Sequence, residues 1–369
     1  MSSGQMKLTG KRMMNVQSET GIEKLKSISS PEASSGESGN DGYTIADIAR
    51  ELGVSKTTVS RAISGKGRIG SGTRDRVLSF IEKNNYRPNP LAKGLANSRT
   101  YNICWAMPGD STITDLPFFQ RCLLGIVDKA ASCDYDVLIS MIYEDNTAQL
   151  SRIIDNKKTD GIILGRTLTD DRNVELLKEK GVPFVTIGTS SSDRVIQVDN
   201  DHVKACRELT NILVMKGSRR FAMIGGNMKH MVNRMRYEGF TDALKENDID
   251  PDGKLIYLNC ETDEEILRAV ENIRLFNAEC IVCMDDRICA TVIHRLQRDG
   301  TDIPGSVRVA SFYYSSLLDD LLTPVTTIQY DPRELGATAC RTLLDIIEGR
   351  EVPQRQMMGY EVLLKGSTQ

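Results

Sequence analysis

The residues best suited to chemistry lie on one face of a short predicted helix near the start of the chain. Their side chains carry cationic or hydroxyl groups: Lys56, Thr57, Ser60 and Arg61. Cationic side chains donate to the O6 and N7 atoms of guanine in the major groove of DNA, and threonine offers the bases both a hydroxyl and a methyl group. The pattern predicts a helix face that reads base edges. A solvated face without a partner is the alternative.

Two short predicted helices joined by a tight turn position this face. Thr44 is a predicted N-cap with Asp47 three residues later, and apolar residues follow at helical spacing. Gly53 ends the first helix and Ser55 caps the second. The inward side of the second helix is apolar: Val59, Ala62 and Ile63. Caps, turn and periodicity agree on a helix-turn-helix unit, which favours DNA reading over a solvated face.

The segments that follow carry a resemblance to a known family. They are Thr73-Arg74, Tyr86-Arg87-Pro88-Asn89 and Ala92-Lys93-Gly94-Leu95, in that order after Val54-Ser55 and Thr57-Thr58-Val59-Ser60-Arg61. With these motifs the chain resembles the LacI/GalR family of bacterial transcription regulators from Tyr43 to its C-terminus. The resemblance implies an all-α helix-turn-helix head (43–88), a hinge (89–100) and an α/β two-lobed core, like a periplasmic binding protein, with parallel sheets (101–369).

The same resemblance implies which residues of the head and hinge contact DNA. They are Thr44, Ser55, Lys56, Thr57, Ser60, Arg61, Arg68, Asn89, Lys93 and Leu95. Leu95 matches the family's apolar wedge, which enters the minor groove and kinks the duplex; ordinary linker packing is the alternative. A hinge helix is short and contains Gly94, so it is marginal alone. In the family, operator DNA and the paired hinge of a second subunit stabilise it.

Charge is distributed unevenly along the chain. Residues 41–100 carry eleven basic and five acidic residues, a balance of +6, while the whole chain carries −3 and the remainder therefore −9. A basic head on an acidic body concentrates phosphate attraction at the helix-turn-helix motif. We expect DNA affinity to fall steeply with salt.

Composition and targeting signals are those of a cytoplasmic globular protein. The 369 residues suggest two to three domains, and residues 1–42 are predicted to be a disordered extension because they are rich in Ser, Gly and Glu without periodicity. No apolar run approaches the length of a membrane span, and no signal peptide is recognisable. The nine cysteines lie mostly in apolar segments, which indicates buried thiols in a reducing compartment.

From Tyr101 onward, apolar runs alternate with amphipathic stretches, as βαβ units require. The predicted strands are 103–107, 137–140, 162–164, 184–187, 221–224, 255–258, 280–283 and 307–312. The resemblance places crossovers between two lobes near Asn200, Ile303 and Tyr330. The first lobe would then hold 101–200 and 303–330, and the second 201–302 and 331–369. A ligand is expected between the lobes, at the carboxyl ends of their strands.

The resemblance also implies effector-binding residues in that cleft: Phe118, Phe119, Thr167, His230, Arg236, Asp286 and Tyr313. Arg236 donates in a planar fork and Asp286 accepts from hydroxyls, so the two can form a polyol clamp. A buried structural ion pair is the alternative for them, and core packing is the alternative for the phenylalanines. Tyr313 stands where the family usually has an acidic residue. It either stacks on the ligand or fills space.

Other chemistry has little support in the sequence. A GxGxxG pattern occurs at Gly65-Lys66-Gly67-Arg68-Ile69-Gly70, but it follows a predicted helix and not a strand, so it does not predict a dinucleotide site, and no GxxxxGK[ST] phosphate loop is present. Cys280 and Cys283, with Cys289 and His294, suggest zinc ligands, but residues three apart on a strand point to opposite faces, which favours structural cysteines. We expect no metal, no cofactor and no enzyme activity. A sugar-binding or Rossmann-type enzyme and a ligand-independent architectural DNA binder are the alternatives.

The sequence therefore predicts a ligand-responsive transcriptional regulator that acts as a homodimer; a repressor is favoured and an activator is the alternative. Its two heads would read a pseudopalindromic operator in double-stranded DNA, and a sugar or sugar derivative would change DNA affinity by closing the lobes. The C-terminus lacks leucine heptads, so no zipper-built tetramer is expected.

Overall fold

A computed structural model describes residues 43–65, 67–86, 94, 98–109, 117–144 and 146–369. The chain divides into two units between Pro88 and Asn89, and each unit is described by itself. The predicted disordered extension 1–42 lies outside the described residues, as do the predicted DNA contacts Asn89, Lys93 and Leu95. These remain predictions.

The described part of the first unit contains three helices: α1 (Ile45–Leu52), α2 (Lys56–Ser64) and α3 (Ser71–Lys83). Thr44 caps α1 in a capping box with Asp47, as predicted, and Gly53 ends the helix in the left-handed conformation with φ of 64°. The Ser55 hydroxyl accepts from the backbone amide of Thr58 and caps α2. A small apolar core holds the three helices together: Ile48, Ala49, Val59, Ala62 and Val77.

Strands and helices alternate along the second unit. In chain order they are β1 (Asn102–Pro108), α4 (Pro117–Ala131), β2 (Asp136–Ile142), α5 (Ala148–Asp155), β3 (Gly161–Leu164), α6 (Arg172–Lys180), β4 (Phe184–Ile187), β5 (Gln197–Asn200), α7 (His202–Met215), β6 (Phe221–Ile224), α8 (Met231–Glu246), β7 (Ile256–Tyr257), α9 (Asp263–Leu275), β8 (Cys280–Cys283), α10 (Asp286–Arg298), β9 (Arg308–Ser311), β10 (Thr326–Gln329), α11 (Pro332–Ile347), β11 (Arg355–Met358) and β12 (Glu361–Leu363). Short 3-10 turns occupy Gly253–Leu255, Ser316–Leu318 and Gly366–Thr368.

Two sheets of six strands, counted over the described residues, organise this unit into two lobes. The first sheet has the order β11-β5-β4-β3-β1-β2 and the second the order β12-β10-β9-β8-β6-β7. Neighbouring strands are parallel throughout, except that β12 runs antiparallel to β10. The fold class predicted from the sequence is confirmed. In each sheet the strand order reverses beside the first strand, the place where doubly wound sheets bind ligands.

The predicted composition of the lobes is partly wrong. Residues 303–330 do not join the first lobe, because β9 pairs with β8 and β10 pairs with β9 in the second sheet. Residues 331–369 are not all in the second lobe either, since α11 packs on α4 and β11 pairs with β5 in the first. The chain passes between lobes after Asn200, at Tyr330 and between β11 and β12. No crossover occurs near Ile303.

The start of the second unit is tied to the first lobe by polar contacts. The backbone amide and hydroxyl of Thr100 donate to Asp160 Oδ1 at 2.7 and 2.8 Å. The Arg99 guanidinium donates to the carbonyl of Ile347, at the end of α11, at 2.9 Å. Arg99 and Thr100 are therefore anchored on the first lobe.

Candidate functional site

The outward face of α2 is exposed in the structure. Lys56, Thr57, Ser60 and Arg61 are all exposed, as is Arg68 beyond the helix, whereas Val59 and Ala62 are fully buried on the opposite side. The Arg61 side chain runs beside Gly67, where a Cβ atom would stand 3.2 Å from Arg61 Cδ. Gly67 has φ of 91°, so glycine is the residue that fits both the backbone and this contact.

The hydroxyl groups of two predicted DNA-contact residues, Thr44 and Ser55, form hydrogen bonds that cap helices. The Thr44 hydroxyl donates to Asp47 Oδ2 at 2.6 Å and accepts from the Asp47 amide. The Ser55 hydroxyl lies 2.9 Å from the Thr58 hydroxyl and accepts from the Thr58 amide at 3.0 Å. These bonds with Thr44 hold the pKa of the Asp47 carboxyl below its ordinary value. Thr44 and Ser55 therefore offer DNA the N-terminus of a helix and not a free hydroxyl group.

A cleft between the two lobes brings together every predicted effector-binding residue. The lining includes Phe118, Phe119, Thr167, His230, Arg236, Asp286 and Tyr313. Its cavity volume is about 280 Å³. The lining loops follow the carboxyl ends of strands from both sheets, as expected for doubly wound lobes.

Direct contacts between the lobes close the rim of the cleft. The Thr169 amide donates to the Lys229 carbonyl at 2.9 Å, and the Met231 amide donates to the Thr167 carbonyl at 3.1 Å. Lys229 also forms an ion pair with Glu144 of the first lobe. The loop after β3 thus joins the loop after β6 through backbone hydrogen bonds. The cleft is held in a closed arrangement.

Arg236 projects into the cleft from the first half of α8. Only 7% of the residue is exposed, yet among the described residues it forms no ion pair, and its Nε has no hydrogen-bond partner. Its guanidinium carbon lies 5.8 Å from the centre of the Tyr313 ring, a cation–π contact. The alternative of a structural ion pair with Asp286 is therefore wrong. The charge of Arg236 attracts the nearby Asp285 carboxyl without a direct ion pair, and its unpartnered Nε can donate to an acceptor from outside the chain.

Two adjacent carboxylates stand on the same side of the cleft. Asp286 opens α10, is 1% exposed and accepts a hydrogen bond from the Ser315 hydroxyl. Asp285 caps the helix through the Ile288 amide at 2.8 Å. Burial raises the pKa of the Asp285 carboxyl, and the charge of Asp286 adds to this effect. The carboxylate of Asp286 is thus placed to accept from a ligand hydroxyl.

Aromatic rings from both lobes form the apolar part of the cleft. Phe118 meets Tyr313 edge to face at 6.0 Å, and Tyr313 stacks on Tyr330 at 6.3 Å with an angle of 15° between the rings. Burial raises the pKa of the Tyr313 phenol far above neutrality, so the ring carries no charge. Tyr313 both packs against its neighbours and faces the cavity, so packing and ligand contact are compatible.

The sequence interpretation missed several polar residues of the cleft. Arg166, Asn200, His202, Asn233 and Tyr330 all line the cavity. His202 Nε2 lies 3.4 Å from Asp199 Oδ1, and its Nδ1 lies 3.2 Å from the Tyr330 hydroxyl. The position of Asp199 and Asn200 at the end of a strand could have predicted this group. The strand β5 was not recognised because Gln197, Asp199 and Asn200 are polar and interrupt the apolar pattern typical of a buried strand.

The cysteines of the motif are buried in the second lobe. Cys280 and Cys283 are both fully buried on β8, and burial raises their pKa values. Among the described residues, no group of three or more His, Cys, Asp or Glu side chains is arranged to bind a metal ion. Within the same residues, no helix is long and apolar enough to cross a membrane.

Comparisons with known proteins agree with this division into a DNA-reading face and a two-lobed core. The model for bacterial regulatory proteins of the lacI family matches residues 44–89, and the model for a periplasmic binding protein-like domain matches residues 210–368. The catabolite control protein A of Staphylococcus xylosus is 29% identical over 331 residues, which cover 88% of this chain and 99% of that protein. The head therefore carries the DNA-binding domain of the lacI family of bacterial regulatory proteins.

Solved structures of lacI-type regulators share the fold. The lac repressor dimer bound to operator and the anti-inducer ONPF is 20% identical, with a TM-score of 0.73 over 89% of this chain and 99% of that one. The transcriptional regulator CelR in complex with cellobiose is 23% identical, with a TM-score of 0.67 over 88% and 99% of the two chains. The head that matches the lacI-family model makes this protein a DNA-binding regulator of transcription, and the solved structures show that its core shares their two-lobed fold.

Proposed function

We propose that this regulator binds a pseudopalindromic operator as a homodimer and that a sugar-like effector in the interlobe cleft changes its DNA affinity. The observation that carries the proposal is the buried, unpaired guanidinium of Arg236 in a cavity shared by both lobes. A ligand-independent architectural DNA binder has no need of such a group between two lobes.

The DNA-binding half of the proposal is supported by the exposed face of α2. Arg61 and Lys56 carry the donors that read guanine, and Thr57 adds a hydroxyl and a methyl group. Heads of this kind place the second helix of the motif in the major groove, and a dimer reads two half-sites related by its own two-fold axis. We therefore expect an operator with inverted symmetry.

The effector half is supported by the chemistry of the cleft. Arg236 donates, Asp286 accepts, and the rings of Phe118 and Tyr313 offer apolar faces, a combination that suits the hydroxyl groups and C–H faces of a sugar. A cavity of about 280 Å³ has room for one or two sugar rings. The solved complex of CelR with cellobiose shows a sugar on a protein of the same fold.

The homodimer is supported by apolar side chains on the outside of the first lobe. Leu124 and Val127 are exposed on α4, and Ile139 is exposed on β2, which packs beside α4 and lies at the edge of its sheet. Leu124 and Ile139 are each 55% exposed. Exposed apolar groups on neighbouring elements favour burial against a partner. The lac repressor of similar fold was solved as a dimer.

Selection from a random pool of duplex DNA with the full-length chain tests the proposal. We expect an enriched site with inverted repeats, bound by a dimer in sedimentation experiments, and a change in affinity when a sugar from a panel is added. Ile139→Asp should weaken the dimer, whereas Leu275→Asp, at another exposed leucine, should not. Sites without symmetry bound by a monomer would contradict the dimer, and affinity indifferent to the whole panel would contradict a sugar-like effector.

A further inference from the structure

Asn200 is a buried amide that the chain itself leaves without partners. It ends β5, is 1% exposed and lines the cavity between the lobes. Among the described residues, neither its Oδ1 nor its Nδ2 has a hydrogen-bond partner. Asn200 is the last residue of the first sheet before the chain enters α7 of the second lobe, so it lies where the chain first passes between the lobes.

The polar groups next to Asn200 are engaged with one another. Asp199 Oδ2 accepts from the amide and hydroxyl of Thr189 at 2.8 and 3.0 Å, while its Oδ1 accepts from the backbone amide of Asn200 at 2.8 Å. His202 contacts both Asp199 and the Tyr330 hydroxyl. These contacts link Thr189, Asp199, His202 and Tyr330 and involve only the backbone amide of Asn200. The side-chain amide of Asn200 takes no part in them.

A buried amide without partners destabilises a folded protein, because its hydrogen bonds to water are lost and not replaced. An apolar side chain of the same size would pack there at no such cost. Groups of this kind persist in natural proteins where function requires them. Asn200 is therefore suited to a ligand that supplies both a donor and an acceptor.

We infer that Asn200 binds the effector through its side-chain amide and that the effector is an uncharged polyhydroxyl compound, a neutral sugar rather than a sugar phosphate. The inference rests on the proposed function, and it names one further effector-binding residue and the ligand class of the interlobe cleft. It adds a residue of the first lobe to the second-lobe pair Arg236 and Asp286.

The ligand class follows from the hydrogen-bonding capacity of the three side chains. Arg236 can only donate, the carboxylate oxygens of Asp286 accept, and the amide of Asn200 does both. A hydroxyl group also donates and accepts, so a sugar satisfies all three residues. A sugar phosphate offers hydroxyl groups as well, but its phosphate would add negative charge to a cavity that five acidic and three arginine side chains already line. Neutral polyols pair every group without adding that charge.

The first test needs no ligand. Asn200→Leu exchanges the amide for an apolar side chain of similar size, and the melting temperature of the ligand-free full-length protein is measured. We expect an increase of about 2 °C or more, because an unpaired polar group is removed. A decrease would show that the amide has a structural role, and it would overturn the inference.

The second test titrates the wild type and three variants with D-glucose, cellobiose and D-glucose 6-phosphate in thermal-shift and operator-binding experiments. We expect a neutral sugar to stabilise the wild type, Asn200→Asp to weaken its binding at least tenfold, and Asn200→Leu to abolish the shift. Asn173→Asp is the matched control, since Asn173 is buried in the same lobe with an unpaired Oδ1 but does not line the cavity.

The outcomes separate this inference from the proposed function. If D-glucose 6-phosphate alone stabilises the protein, or if Asn200→Leu responds like the wild type, the inference fails while a ligand-controlled regulator stands. If neither neutral sugar produces a shift, the assigned ligand class is overturned. If the wild type binds a sugar but its operator affinity does not change, the proposed function fails while Asn200 keeps its role.

Discussion

The head and the interlobe cleft are two binding regions built in opposite ways. The face of α2 consists of side chains within a single nine-residue helix, positioned by a cap at each end. The cleft draws its lining from loops after strands of two sheets, from Phe118 near the start of the second unit to Tyr330 near its end. A local surface tolerates change elsewhere in the chain. A cleft built from distant segments depends on the packing of both lobes.

The largest expected effect is a loss of the effector response, caused by a substitution in the cleft that leaves DNA binding by the head unchanged. Arg236→Met removes the buried guanidinium and should abolish the response to an effector, while operator affinity without effector remains at the wild-type level. Because the guanidinium is buried without a direct ion pair among the described residues and its Nε has no partner there, the ligand-free protein should lose little stability. Titration of operator binding with the effector measures the response. Arg234→Met, at an exposed arginine on the same helix, is the control, and a normal response of Arg236→Met would remove this residue from the site.

A substitution in the head should have the opposite result: weaker operator binding with unchanged effector binding. Arg61→Ala should lower affinity for the selected operator by about 10- to 100-fold, the range of one lost base contact, and should leave effector binding unchanged. Arg50→Ala removes the same charge from an exposed site on α1 and serves as the control. Fluorescence anisotropy with operator and with scrambled DNA distinguishes readout from charge. Equal losses in the two variants would indicate that Arg61 contributes only electrostatic attraction.

A smaller effect tests whether the head folds as a separate unit. Val59→Ala removes two fully buried methyl groups from the small core of the head and should destabilise that unit by roughly 2 kcal/mol. The melting transition of the core should not move. Differential scanning calorimetry resolves the two transitions, and a parallel shift of both would contradict independent folding.

The smallest effect concerns the cap of α1. Thr44→Ala removes a capping box and should cost the head about 1 kcal/mol at neutral pH. The pKa of Asp47 is lowered in the folded state, so its stabilising effect is complete above the ordinary value of 3.8 and is lost as the pH falls through the lowered value. The difference between wild type and variant should therefore shrink below about pH 4. A difference that stays constant in acid would argue against the capping box.

Local features of the chain were predictable because they depend on neighbouring residues. The capping box of Thr44 and Asp47, the left-handed Gly53 and the exposed face of α2 follow from spacing over a few positions. The strands with continuous apolar runs, such as β3 and β8, were predicted within a residue or two. The strand β5 was missed since its polar residues break the pattern on which the prediction depended.

The sequence by itself determined the helix-turn-helix head, the alternation of strands and helices, and the residue types available to a cleft, all of which depend on local propensity and periodicity. Only the tertiary structure decided which sheet each late strand joins. The register of β9 against β8 places residues 308–311 in the second lobe, and no local signal marks that choice. The unpaired states of Arg236 and Asn200 were likewise decided by tertiary packing, because the absence of a partner depends on every segment that folds around a side chain.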